Sequence, residues 1–176
     1  MRLGIISDTH GNTDAIDSIL AQEQQASLWL HAGDLAPDAV YLEETYDVPA
    51  MKVTGNCDWT GRGVPEETVV EASGHKIFLT HGHIYGARFS VEQIARAAWA
   101  ADCDIAVYGH THTAQILRLT DADKVLWLLN PGSASRPRDD MRPSFMTLEL
   151  EPNSDPLIEL YRFEQEKSVW ERQAAL

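Results

Sequence analysis

A chain of 176 residues, 44% hydrophobic and 23% charged, has the size and composition of a globular domain that builds its own core. Its formal charge of −13, from 27 acidic and 14 basic residues, excludes a general attraction to nucleic acid or to an anionic membrane. Cys57 and Cys103 are too few for a disulfide framework, no apolar stretch has the length of a membrane span, and no signal-peptide pattern precedes the first strand, so a cytoplasmic protein is expected.

Leu3, Ile5 and Ile6 predict a buried strand that ends in Asp8-Thr9-His10. Ala15, Ile16, Ile19 and Leu20 recur at helical spacing, which predicts a helix over 12–25 with Asn12 or Thr13 as its N-cap. A strand over 27–31 leads into Ala32-Gly33-Asp34, a helix starts at Pro37 and runs to about Tyr46, and a strand over 50–54 leads into Gly55-Asn56-Cys57-Asp58. Residues 67–72 and 76–80 flank Ser73-Gly74-His75 as in a hairpin, and the second of these strands ends in His81-Gly82-His83. A helix over 90–101 takes Ser90 as N-cap and Val91, Ile94, Ala95 and Ala98 as its apolar face. The strand over 104–108 ends in Gly109-His110-Thr111-His112, and four strands follow over 114–119, 125–129, 144–150 and 156–163, the last at a sheet edge. Residues 164–176, charged and with an isolated Trp170, read as a tail that frays beyond a domain spanning 1–163. Strands that alternate with helices early and dominate late predict two sheets packed face to face with helices outside.

The chemistry gathers at strand ends, where α/β proteins hold ligands. Asp8 and His10, Asp34, Asn56, His81 with His83, and His110 and His112 each follow a predicted strand. Gly33, Gly55, Gly82 and Gly109 beside them permit close backbone approach or left-handed conformations. Carboxylate, amide and imidazole donors without a thiolate suit manganese, iron, cobalt, nickel or zinc in five- or six-coordinate geometry. With His83 set aside as either a site-lining or a supporting residue, seven such residues exceed what one ion needs and fit two ions that share a carboxylate. Other residues take plainer readings. Arg136, Arg138 and Arg142 have Asp139 and Asp140 among them and read as a solvated loop. His31, Trp29, Trp99, Trp127 and Cys103 read as core, His75 as solvated in a turn, and Trp59 as either a pocket border or a surface residue.

In this order, Asp-x-His, Gly-Asp, Gly-Asn-x-Asp, His-Gly-His and Gly-His-Thr-His resemble the motifs of the calcineurin-like metallophosphoesterases. The short length and the Gly-Asn-Cys-Asp variant resemble the small bacterial and archaeal phosphodiesterase branch of that family, and the resemblance covers about residues 1 to 150. It implies an α/β fold, a four-layer α/β/β/α sandwich of two mixed sheets with helices outside. It further implies one divalent ion held by Asp8, His10, Asp34 and His112, and a second held by Asp34, Asn56, His81 and His110, with Asp34 bridging. Mn²⁺ is the expected ion, with Ni²⁺, Co²⁺, Fe²⁺ and Zn²⁺ as alternatives. Asn130-Pro131-Gly132-Ser133 is similar to a loop that this branch places near the site, and it receives no chemical role.

The implied reaction is hydrolysis of small phosphodiesters by in-line attack of a metal-bridging hydroxide, with Asn56 helping to stabilise the developing charge. Two ions, two carboxylates and one hydroxide leave a single positive charge, which a phosphodiester monoanion neutralises. A monoester dianion overshoots unless arginines compensate. Many family members carry histidine where Cys57 stands. A thiol with a reference pKa of about 8.5 is a poor general acid, so substrates whose leaving group needs little protonation are expected. Asp58 either anchors this loop or takes part in catalysis. The alternatives are a phosphomonoesterase on the same site and a non-catalytic interaction scaffold of the same fold. The expected partners are a small phosphodiester and a second copy in a homodimer, with no nucleic acid and no membrane.

Overall fold

The computed structural model describes residues 1–59 and 63–176. In chain order these hold β1 (Arg2–Ile6), α1 (Thr13–Gln22), β2 (Leu28–His31), α2 (Ala36–Tyr46), β3 (Ala50–Lys52), β4 (Glu67–Ala72), β5 (His75–Thr80), α3 (Glu92–Ala100), β6 (Ile105–Val107), β7 (Ala114–Asp121), β8 (Lys124–Pro131), β9 (Ser144–Glu149), β10 (Leu157–Glu164) and β11 (Val169–Ala175). One sheet runs β11-β10-β9-β1-β2-β3 and the other β4-β5-β6-β8-β7.

The two-residue period of the strands sorts side chains into layers. Leu3 and Ile5 of β1, Leu30 of β2, and Met146 and Leu148 of β9 face inward, where they meet Ile77, Leu79, Ile105, Val107 and Leu129 of the second sheet. Their neighbours Ile6, Trp29 and Phe145 face outward and are covered by Ile16 and Ile19 of α1 and Leu42 of α2. On the far side, Phe78, Ala106, Leu126 and Leu128 are covered by Ile94, Ala95 and Ala98 of α3. The result is the expected α/β/β/α sandwich of two mixed sheets. A Cβ on Gly4 would lie 2.4 Å from the Trp29 ring, so only glycine lets that ring lie across β1.

Three local expectations are corrected. Residues 164–176 do not fray: β11 pairs antiparallel with β10 and takes the sheet edge from it. Trp170 anchors β11, edge-on to Phe145 at 5.0 Å, with its indole N–H donating to Ser18 Oγ at 2.9 Å. A single aromatic anchor in a seven-residue strand leaves no periodic pattern to read. Ser90 is not the N-cap of α3. Val91 holds that position without a side-chain bond, while Ser90 Oγ accepts the Glu92 N–H at 3.1 Å. His75 is buried rather than solvated, because Nδ1 meets Asp104 Oδ2 at 2.5 Å and Nε2 meets the Glu151 carbonyl at 3.0 Å. No helix among the described residues is long and apolar enough to cross a membrane.

Candidate metal centre

Parallel pairing collects the functional loops. β1, β2 and β3 run parallel in one sheet, and β5, β6 and β8 run parallel in the other, so the loops that follow them leave from like ends of their strands. Five of the seven candidate ligands occupy left-handed backbone: Asp8 (φ 53°), His10 (48°), Asp34 (59°), His110 (68°) and His112 (59°). Each such residue costs on the order of 1–3 kcal/mol, a strain that concentrates at functional sites. Gly109 permits the closest approach, since a Cβ there would fall 1.9 Å from Ser7 Oγ and 2.8 Å from Asp8 Oδ2. At Gly55 a Cβ would fall 2.2 Å from Asp34 Oδ1.

The side chains converge with their electron pairs facing one another. Asp8, His10, Asp34 and His112 each offer an atom, all within 4.8 Å of one another. His112 donates Nδ1–H to the Arg136 carbonyl at 2.6 Å, which leaves its bare Nε2 turned to Asp8 Oδ1 at 3.0 Å and to His10 Nε2 at 3.3 Å. His81 does the same on the other side, donating Nδ1–H to the Ala32 carbonyl at 2.7 Å and facing Asp34 Oδ1 with Nε2 at 3.3 Å. Asp34 stands between the two groups, with Oδ2 3.8 Å from His10 Nε2. Asp8 Oδ1, His81 Nε2 and His110 Nδ1 are buried without a hydrogen-bond partner. Lone pairs held this close without a proton between them repel, and a cation among them removes the repulsion. The donor set therefore fits divalent metal.

The seven candidates do not converge equally. His110 packs edge-on to His81 at 5.1 Å, and His83 lies 5.3 Å from His81 and 6.1 Å from His110 between ring centroids. Asn56 is exposed and its amide N–H donates to Cys57 Sγ at 3.4 Å. Both oxygens of Asp58 accept backbone N–H groups, from Gly55 at 2.7 Å, Ala36 at 2.7 Å and Leu35 at 3.3 Å. Asp58 thus ties the Asn56 loop to the start of α2, where a carboxylate also meets the positive end of the helix. Trp59 does not line the cavity at the site and is 94% exposed, so of the two readings it is a surface residue.

Sequence reasoning missed the residues that hold these loops. Ser7 donates to Asp8 Oδ2 at 2.7 Å, and the His110 N–H reaches the same oxygen at 3.0 Å. Ser133 donates to the Asp8 carbonyl at 2.7 Å, and Asn130 donates to the Gly109 carbonyl at 2.9 Å. Fully buried His31 accepts the Gly33 N–H on Nδ1 and meets Thr9 Oγ1 at 2.9 Å, while Thr9 donates to Asp38 at 2.5 Å. The similarity of the Asn130-Pro131-Gly132-Ser133 segment to a family loop and the reading of His31 as core were the available signals for them.

Charge and burial set the protonation of the site. Burial alone would push the Asp8 carboxyl up, but the bonds and charges of His112 and His81 hold it below its ordinary value. Burial lowers His10, and lowers His110 to about 4 with help from His81 and Arg88, so both rings are neutral at pH 7. Burial pulls His112 down as well, but contact with Asp8 outweighs it and raises the ring. Burial, then Asp34, pushes the Cys57 thiol up to about 11.

A cavity of about 410 Å³ opens on the site, lined by His10, Asp34, Asn56, Cys57, His112 and Pro137 together with Arg88, Arg136 and Arg138. The loop arginines are therefore not simply solvated. Asp139 and Asp140, which sit among them in the sequence, are taken by Arg162 of β10 at 2.5 and 2.8 Å. Only Arg142 stays with Asp140.

Parallel strand ends bring imidazoles and carboxylates into a centre suited to divalent metal, and the chain belongs to the calcineurin-like phosphoesterase superfamily. Residues 1–153 match the calcineurin-like phosphoesterase superfamily domain. The chain is 32% identical over 156 residues to the probable metallophosphoesterase YsnB of Bacillus subtilis, covering 86% of this chain and 85% of that one. It is 30% identical over 155 residues to a probable metallophosphoesterase of Methanocaldococcus jannaschii, covering 86% and 77%. Among solved structures it resembles wild-type Vps29 of Entamoeba histolytica complexed with Zn²⁺, at 25% identity and a TM-score of 0.76, with 98% of each chain covered.

Proposed function

We propose that this metallophosphoesterase is a dinuclear phosphodiesterase acting on small phosphodiesters. The observation that carries the reading is the set of bare acceptor atoms, Asp8 Oδ1, His81 Nε2 and His110 Nδ1, buried without partners on both sides of Asp34. One ion would take Asp8, His10, Asp34 and His112, and a second would take Asp34, His81, His110 and the Asn56 amide. Two divalent ions held there would activate water at neutral pH and offset charge on the phosphate, with Mn²⁺ the expected species. The chain's own groups do the rest. The Asp8 and Asp34 carboxylates would leave such a centre, once hydroxide is counted, with the single positive charge that a diester monoanion neutralises. Asp58 holds the Asn56 loop at the cavity wall.

Cys57 supports substrates with good leaving groups. Its thiol, raised to about 11, stays protonated but gives up the proton reluctantly, so an alkoxide would leave without help. Aryl diesters are expected to turn over faster than alkyl diesters, and equal rates would sink this point.

The deciding experiment is aryl phosphodiester hydrolysis by metal-stripped protein before and after Mn²⁺ is added back. Activity that returns only with metal supports the hydrolase. Folded protein that stays inert with every divalent ion turns the reading to a scaffold, the alternative that the likeness to Vps29 keeps open. The arginines of the cavity give the phosphomonoesterase alternative its one specific support, and an aryl monoester run in parallel tests it.

A further inference from the structure

Arg88, Arg136 and Arg138 differ from the other described basic residues. Each of the others sits on a carboxylate, except Arg118, which lies over the Trp127 ring at 5.8 Å. These three are paired with no described carboxylate, and all three line the one cavity beside the candidate metal ligands. In a chain of net charge −13, three uncompensated guanidiniums at one place are not a by-product of composition.

The backbone of Arg136 and Arg138 is held in place, while all three residues are exposed to solvent. The Arg136 N–H donates to Ser133 Oγ at 2.7 Å while its carbonyl accepts His112 Nδ1–H at 2.6 Å, and the Arg138 N–H donates to the His112 carbonyl at 2.9 Å. Pro137 between them fixes the backbone further. Arg88 comes from a separate loop, just beyond the short 3-10 turn His83–Tyr85. The cavity thus presents guanidiniums from two loops, and the planar fork of each matches phosphate oxygens.

Charge counting shows what they face. Asp8 and Asp34 leave two bound divalent ions with two positive charges, and hydroxide plus a scissile diester already match those. The arginines are surplus to the bond being cleaved. A cavity of about 410 Å³ also falls in the range that takes a whole small molecule rather than one phosphate. We propose that Arg88, Arg136 and Arg138 form a subsite for a second phosphoryl group that is not cleaved, so that the preferred substrates are phosphodiesters carrying a further phosphate on one arm. This inference rests on the phosphodiesterase reading above.

The test uses a matched pair of esters, thymidine 5′-(p-nitrophenyl phosphate) and the same ester bearing a 3′-phosphate, with the Mn²⁺-loaded protein. The phosphorylated ester should have the higher kcat/KM by about tenfold. The combined change Arg88→Ala, Arg136→Ala and Arg138→Ala should bring that ratio close to one, and Arg138→Ala alone should lower it part of the way. Arg118→Ala, outside the cavity lining, should leave it unchanged. A ratio near one in the parent protein, or arginine variants that slow both esters by the same factor, would overturn the subsite. If neither ester is hydrolysed with any metal, the hydrolase reading fails instead, and calorimetry decides the subsite separately. Thymidine 3′,5′-bisphosphate should then bind about tenfold more tightly than thymidine 5′-phosphate, with the difference lost in the triple variant. Equal binding would overturn the proposal.

Discussion

The two ends of β1 carry opposite kinds of charge. At its start, Arg2 donates to Glu23 at 2.9 Å and to Glu159 at 2.8 Å, and Glu159 also takes Arg172 and the Tyr161 hydroxyl. Every polar group there finds a partner within the protein. Just past its other end, Asp8 sits on strained backbone with one oxygen buried and without a hydrogen-bond partner, 3.0 Å from His112 Nε2. Both clusters are at least partly buried and both are built from far-apart segments. The first is complete in itself and works as a clamp for the β9–β10–β11 edge, while the second is complete only with something added. Unsatisfied polar atoms together with left-handed backbone, rather than charge density as such, mark the functional end.

That contrast predicts opposite responses to damage. Asp34→Ala should abolish binding of both metals and lower phosphoesterase activity by at least about a thousandfold, while changing stability less than a core substitution does. Metal content by mass spectrometry alongside turnover checks this, and two metals retained would refute the bridging position. Trp170→Ala should do the reverse. It should cost about 3–5 kcal/mol in urea unfolding through the lost packing on Phe145 and Phe163, with metal content per folded molecule unchanged.

Acid should separate the two ends more gently. Burial would raise Glu159, but Arg2, Arg172 and Tyr161 outweigh it and hold the carboxyl at about 2, below its ordinary 4.5. A depressed carboxylate contributes stability that is fully present above pH 4.5 and is lost as pH falls toward 2. Glu159→Gln should flatten that limb of a stability–pH curve, and an unchanged limb would show that the clamp adds nothing. Ser133→Ala should have the smallest effect. It removes the hydroxyl that joins the Asp8 carbonyl to the Arg136 N–H, and should weaken Mn²⁺ affinity about tenfold with a stability loss of about 1 kcal/mol.

The layers were legible because each strand states its own facing. Leu3 and Ile5 against Ile6, or Ile77 and Leu79 against Phe78, alternate as a strand between two sheets must. β11 was not legible, because Trp170 alone directs it and its partners Phe145, Phe163 and Ser18 come from three other elements. His75 was misread for the same reason, since its Asp104 and Glu151 partners lie 29 and 76 residues away.

The candidate ligands could be named from the sequence alone. Each follows an apolar run and lies beside a glycine-containing turn, and such a residue leaves the strand at its carboxyl end whatever the remainder of the chain does. Only the tertiary structure decided how charges are shared. Asp139 and Asp140 lie beside Arg136 and Arg138 in the chain, yet they turn to Arg162 on β10, and the two arginines are left facing the cavity. Local pattern settles where a side chain departs from the backbone. Which opposite charge it meets is settled by packing, because the strength of an ion pair depends on distance through space and on burial, and sequence separation fixes neither.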